Sequence, residues 1–101
     1  MSNADRRPTT GVRFVLDRAA VEADHVTYQG FAHLPAADVP LVARIDLPSG
    51  NVHVHATPVG GIAESRAQEL AKTATSLVRA ATKAEIAANL ELPRKIVRWS
   101  A

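Results

Sequence analysis

Residues 41–64 read LVARIDLPSGNVHVHATPVGGIAE, and the pattern of this stretch decides the fold. Leu41, Ala43, Ile45 and Leu47 alternate with Val42, Arg44 and Asp46, the period of two that half-buries a β-strand. Pro48-Ser49-Gly50-Asn51 follows as a tight-turn signal, after which Val52, Val54 and Ala56 alternate with His53, His55 and Thr57. At Gly60-Gly61 the period changes from two to helical and stays helical to about Leu90. A hairpin running into one long helix is the frame of an α+β domain.

Upstream of this stretch the alternation continues. Val12, Phe14 and Leu16 interleave with Arg13, Val15 and Asp17, and Val26, Tyr28, Ala32 and Leu34 lie opposite His25, Thr27, Gln29 and His33. Phe31 falls out of phase, and Gly30 beside it reads as a bulge that re-aims it. Four strands joined by short connections predict an antiparallel meander with one apolar and one polar face. The expected architecture is therefore a four-stranded antiparallel sheet over residues 11–59, packed on one face by a single long C-terminal helix over 61–91. Gly61 is the expected N-cap, and Pro93 stops the helix. A short basic tail over 92–101 follows. Residues 1–10 are polar and aperiodic, and Ser2-Asn3-Ala4 reads as the remnant of a cleaved affinity tag.

At 101 residues the chain is one domain. Its 47% hydrophobic and 22% charged residues are those of a packed globular protein. There is no cysteine, which excludes disulfides, thiolate metal sites and cysteine nucleophiles. No apolar run approaches the roughly 20 residues that span a bilayer, so the expectation is a soluble, cytoplasmic protein without membrane contact. The net charge of +2 is unevenly placed: residues 1–61 carry five bases against six acids, and residues 62–101 seven against four. The basic character thus belongs chiefly to the tail and does not describe a basic surface.

The helix carries a second message. Ala63, Ala67, Leu70, Ala74, Leu77, Ala81, Ala84 and Ala88 recur at alternating spacings of four and three, the period of a coiled-coil seam. A helix of about 29 residues would run roughly 44 Å, against roughly 34 Å for a domain of this size. From residue 80 onward it is also apolar almost all round. These features predict a homo-oligomer, most simply a dimer, joined through Ala67, Leu70, Ala74, Leu77, Ala81, Ala84 and Ala88.

Three sets of residues are candidates for chemistry. His53 and His55, two apart on a strand, share one face. With His25, His33 or Asp46 alongside they would match a metal-ligand pattern, although a solvated polar face explains the same residues without a metal. Arg94, Lys95, Arg98 and Trp99 could contact phosphates and stack on a base. However, the cluster is short, aromatics total only 4%, and Ile96, Val97 and Trp99 equally suit a tail docked as an edge strand. No nucleophile elbow, Ser-His-Asp order or paired-carboxylate motif is present, so no catalytic residue and no cofactor is assigned. The resulting expectation is a non-catalytic, homo-oligomeric binding or adaptor domain. It would offer His25, His33, Arg44, His53 and His55 on the polar sheet face to a protein or small ligand. A metal-binding protein and a nucleic-acid-binding protein are the alternatives.

Overall fold

A computed structural model of the chain describes residues 11–100. The expected tag remnant and N-terminal segment, residues 1–10, lie outside the described residues. The elements follow in the order β1 (Val12–Val21), β2 (His25–His33), β3 (Asp38–Asp46), β4 (Val52–Ala56), α1 (Glu64–Ala87) and β5 (Lys95–Ser100). The α+β class and the antiparallel meander stand as read from the sequence. Two features differ: the sheet has five strands rather than four, and the helix lies between β4 and β5 rather than at the C-terminal end.

The sheet order is β4-β3-β2-β1-β5, antiparallel at every pairing. The chain leaves β4 at one edge and must re-enter at the other, four strand spacings or about 19 Å away. This crossing explains the length of α1. Its 24 residues run about 36 Å, which fits the 38 Å long axis of the domain. The expectation of a helix too long for its own sheet is thereby overturned: α1 fits the domain and ends at Ala87, five residues before Leu92.

Asn89 ends it. This residue takes a left-handed φ of 55°, with the Asn89 amide donating to Ile86 O at 3.1 Å and the Leu90 amide to Glu85 O at 2.8 Å. The paired bonds form a Schellman closure, a role open to asparagine because its side chain tolerates that conformation. At the other end Ala63, not Gly61, is the N-cap, and no side chain caps the first turn.

One face of the sheet, called inner below, buries Val12, Phe14, Leu16, Val26, Tyr28, Ala32, Val39, Leu41, Ala43, Ile45 and Ile96 in a single core with the helix. On α1 the buried stripe runs Ala67, Leu70, Ala74, Val78 and Thr82. A straight helix of 3.6 residues per turn drifts by about 20° per heptad from a 3.5-residue seam. Laid on a sheet, with no partner helix to supercoil around, it turns Val78 and Thr82 inward in place of the seam's later members. Ala67, Leu70 and Ala74 are thus spent on the protein's own sheet. Leu77 and Ala81 are half-buried, while Ala84 and Ala88 are exposed. The buried Thr82 hydroxyl donates to Val78 O at 2.9 Å, so the polar group in the core is satisfied.

Candidate functional site

The helix covers only the inner face; among the described residues nothing is layered over the outer face of the sheet. Alternation sends Arg13, Val15 and Asp17 of β1 to this side, with Gln29, Phe31 and His33 of β2, Asp38, Pro40 and Val42 of β3, His53 and His55 of β4, and Lys95, Val97 and Trp99 of β5.

The strand register assembles these residues into rows. Pro40 lies opposite Phe31, Phe31 opposite Val15, and Val15 opposite Val97. Four apolar side chains from four strands therefore form one line across the face, about 14 Å long. Phe31 is 44% exposed, Val42 beside it 45%, and Trp99 at the next position of β5 59%. Four of the five strands thus place apolar residues on what alternation marks as their wet side, β4 carrying His53 and His55 there instead. Gly30 makes no bulge: its pairing with Leu16 is continuous, and the irregularity of this sheet lies in β1 between Arg18 and Ala20. Phe31 is consequently not re-aimed into the core and stands on the outer face.

Charge is balanced on both flanks of the line. On one side Lys95 Nζ lies 3.8 Å from Asp17 Oδ1. On the other, His33 Nδ1 lies 2.7 Å from Asp38 Oδ1, the Phe31 and His33 rings stack with centroids 5.8 Å apart, and the Arg13 guanidinium sits 5.8 Å from the centre of the Trp99 ring. An apolar centre between polar flanks is the anatomy of a protein contact surface.

The four histidines scatter. His53 Nε2 approaches Asp46 Oδ2 at 3.0 Å, on a carboxylate that also accepts from Arg44 Nε at 2.8 Å. The Arg44 bond, with that of His53 behind it, holds the Asp46 carboxyl below its ordinary pKa. His25 pairs instead with Asp24 at 2.7 Å, a bond that lowers the Asp24 carboxyl likewise. His33 is at the opposite end of β2 with Asp38, and His55 lies across from Val42. Among the described residues no three of His, Cys, Asp and Glu come together to hold a metal ion. The His-x-His spacing of β4 thus acquires no third ligand.

The basic tail is mostly strand β5, docked antiparallel on β1. Pairing separates its cations: Lys95 and Trp99 share the outer face, while Arg98 alternates to the other and donates from Nη1 to Val97 O at 2.8 Å. Arg94 precedes the strand and is exposed. These residues do not form one phosphate-facing patch. Among the described residues no helix is long and apolar enough to cross a membrane.

The apolar line was not read from the sequence. Its signal is in Pro40, Phe31, Val15 and Val97, each sitting in the polar phase of its own strand, but register is needed to bring the four together. The chain matches no protein-family model, no curated protein and no solved structure.

Proposed function

We propose that the protein is a non-catalytic binding domain that works as a homodimer, its two copies meeting through the outer faces of their sheets. The observation that carries this reading is the row Pro40–Phe31–Val15–Val97 with Trp99 and Val42 beside it. Phe31, Val42 and Trp99 are exposed and Val15, Pro40 and Val97 half-buried, and a contiguous apolar patch of this kind marks a contact surface. The partner is a second copy because the charges of the face suit one another. Consider a two-fold axis lying along the row. It sets Arg13 over Asp17 of the second copy and Lys95 over Trp99 of the second copy, giving an ion pair and a cation–π contact at each end. An axis along the strands would instead set Arg13 against His33 and pair no opposite charges. The paired, neutral pattern also lacks the positive field that a nucleic acid would require. In such a dimer His53, with Asp46 and Arg44, remains at the β3–β4 side, available to a ligand.

Arg13 and Asp17 lie about 13 Å apart along one strand, so within one subunit they cannot touch. A charge swap therefore tests the contact between subunits, over and above the Lys95–Asp17 pair and the Arg13–Trp99 contact that it removes within each subunit. Arg13→Asp is expected to weaken the dimer about tenfold or more in sedimentation experiments, and Arg13→Asp with Asp17→Arg to recover most of the loss. A double variant as weak as the single one would reject this arrangement of the two copies.

A further inference from the structure

We propose that the cleft between the β3–β4 turn and the C-terminal half of α1 binds a small phosphate monoester. The cleft has a volume of about 480 Å³, in the range of pockets that hold small ligands, and is separate from the outer face of the sheet.

One wall carries Arg79 and Lys83, an i, i+4 pair of like charge on the same side of the helix. Such a pair costs a few tenths of a kcal/mol in an isolated helix. Neither cation has an ion-pair partner among the described residues, and no acidic residue lines the cleft. The opposite wall is the turn, which contributes Ser49, Gly50 and Asn51. The turn is held in shape: the Gly50 amide donates to Asp46 O at 2.8 Å, the Asn51 amide donates to Ser49 Oγ at 3.3 Å, and Gly50 takes a φ of +80° that an L side chain rarely adopts. A Cβ at Gly50 would come within 3.4 Å of Ile86 Cδ1, so the turn rests against the apolar floor of the cleft.

Two cations on one wall and the polar Ser49–Asn51 turn on the other line the cleft, with no carboxylate among its lining residues. That donor set suits a dianion with several oxygens, for which Arg supplies a planar fork and Lys a point charge. Inorganic phosphate would occupy a fraction of the space. A phosphate carrying a small apolar body would use the cations and also cover Ile86.

The probes are inorganic phosphate, phenyl phosphate and phenol, titrated at constant ionic strength while amide resonances are followed by NMR. Phenyl phosphate is expected to shift Ser49, Gly50 and Asn51 along a saturable curve and to bind more tightly than inorganic phosphate. Phenol alone is expected to leave them in place. Arg79→Gln with Lys83→Gln, two exposed positions whose replacement leaves the core untouched, should weaken binding about tenfold or more. The proposal is overturned by unmoved turn resonances at about 10 mM phenyl phosphate, by phenol reproducing the shifts, or by a double variant that binds as the parent does.

Discussion

Gly30→Ala is expected to lower the stability of the domain by about 3 kcal/mol or more, a drop of on the order of 15 °C in Tm. The cause is the approach of β1. A Cβ built at Gly30 would sit 1.8 Å from the carbonyl oxygen of Val15 and 2.8 Å from Leu16 Cα, and both are backbone atoms. No rotamer change can make room. β1 is hydrogen-bonded to β2 on one side and β5 on the other, so moving the Val15 carbonyl disturbs two pairings at once. Since a domain of this size has only about 5–15 kcal/mol of net stability, a large share of it goes. Gly60→Ala is the control: a Cβ there meets nothing within 4 Å, and the change should be nearly neutral. Thermal or urea unfolding of both variants checks the pair, and a Gly30→Ala protein within about 0.5 kcal/mol of wild type would refute the account of this contact.

The second large effect is expected where the chain leaves α1 for β5. Arg18 and Tyr28 are cross-strand neighbours on the inner face, and together they gather three successive carbonyls of the connecting segment. Arg18 Nη1 donates to Leu92 O at 2.8 Å, the Tyr28 hydroxyl donates to Pro93 O at 2.5 Å, and the Arg18 amide donates to Arg94 O at 2.8 Å. Arg18 also reaches Glu91 at 2.7 Å, but that carboxylate is largely exposed and adds little. Removing the guanidinium leaves the carbonyl of buried Leu92 unpaired, so Arg18→Ala should cost about 2–3 kcal/mol, with Tyr28→Phe at about 1–3 kcal/mol. The two should fall short of additive, because both hold the same segment.

Tyr28 supplies a pH test of the same contact. Burial pushes its hydroxyl from 10.0 up to about 12. The folded protein thus keeps this proton more tightly than the unfolded chain. Its contribution to stability is full below pH 10 and declines as the pH rises from 10 toward about 12. Tyr28 is the only tyrosine, so tyrosinate absorbance follows it alone. The folded protein should show no ionisation near pH 10, where the urea-unfolded chain titrates; a folded midpoint near 10 would contradict a buried hydroxyl.

The meander and the helix were legible because each depends on local pattern: alternation in Leu41–Leu47 and Val52–Ala56, and the switch of period at Gly60-Gly61. The fifth strand was readable only as a docking preference of Ile96 and Val97, since six residues hold too few periods to declare a strand alone. Asn89 is a recognisable helix stop whose weight was hidden by the apolar residues around it. The seam of alanines misled for a geometric reason. Residues 67, 70 and 74 fit a heptad and a straight helix equally well, and the two diverge only at 77 against 78 and 81 against 82. On the outer face, the histidines drew attention as a chemical type, yet pairing gives His25, His33 and His53 different carboxylates. The apolar line is not legible in the sequence because Pro40, Phe31, Val15 and Val97 come from four separate strands and become neighbours only through register. Gly30 is ambiguous in the same way: a glycine within a strand signals either a bulge or a close backbone approach, and here it is the approach.

Self-association through the open sheet face is tested most directly by sedimentation equilibrium on the wild-type chain and on Phe31→Asp, which puts a charge at the middle of the apolar line. A wild-type mass of twice 10.8 kDa and a folded Phe31→Asp protein at 10.8 kDa are expected. A wild-type mass of one chain up to about 100 μM, or a Phe31→Asp protein that dimerises as tightly as its parent, would contradict it.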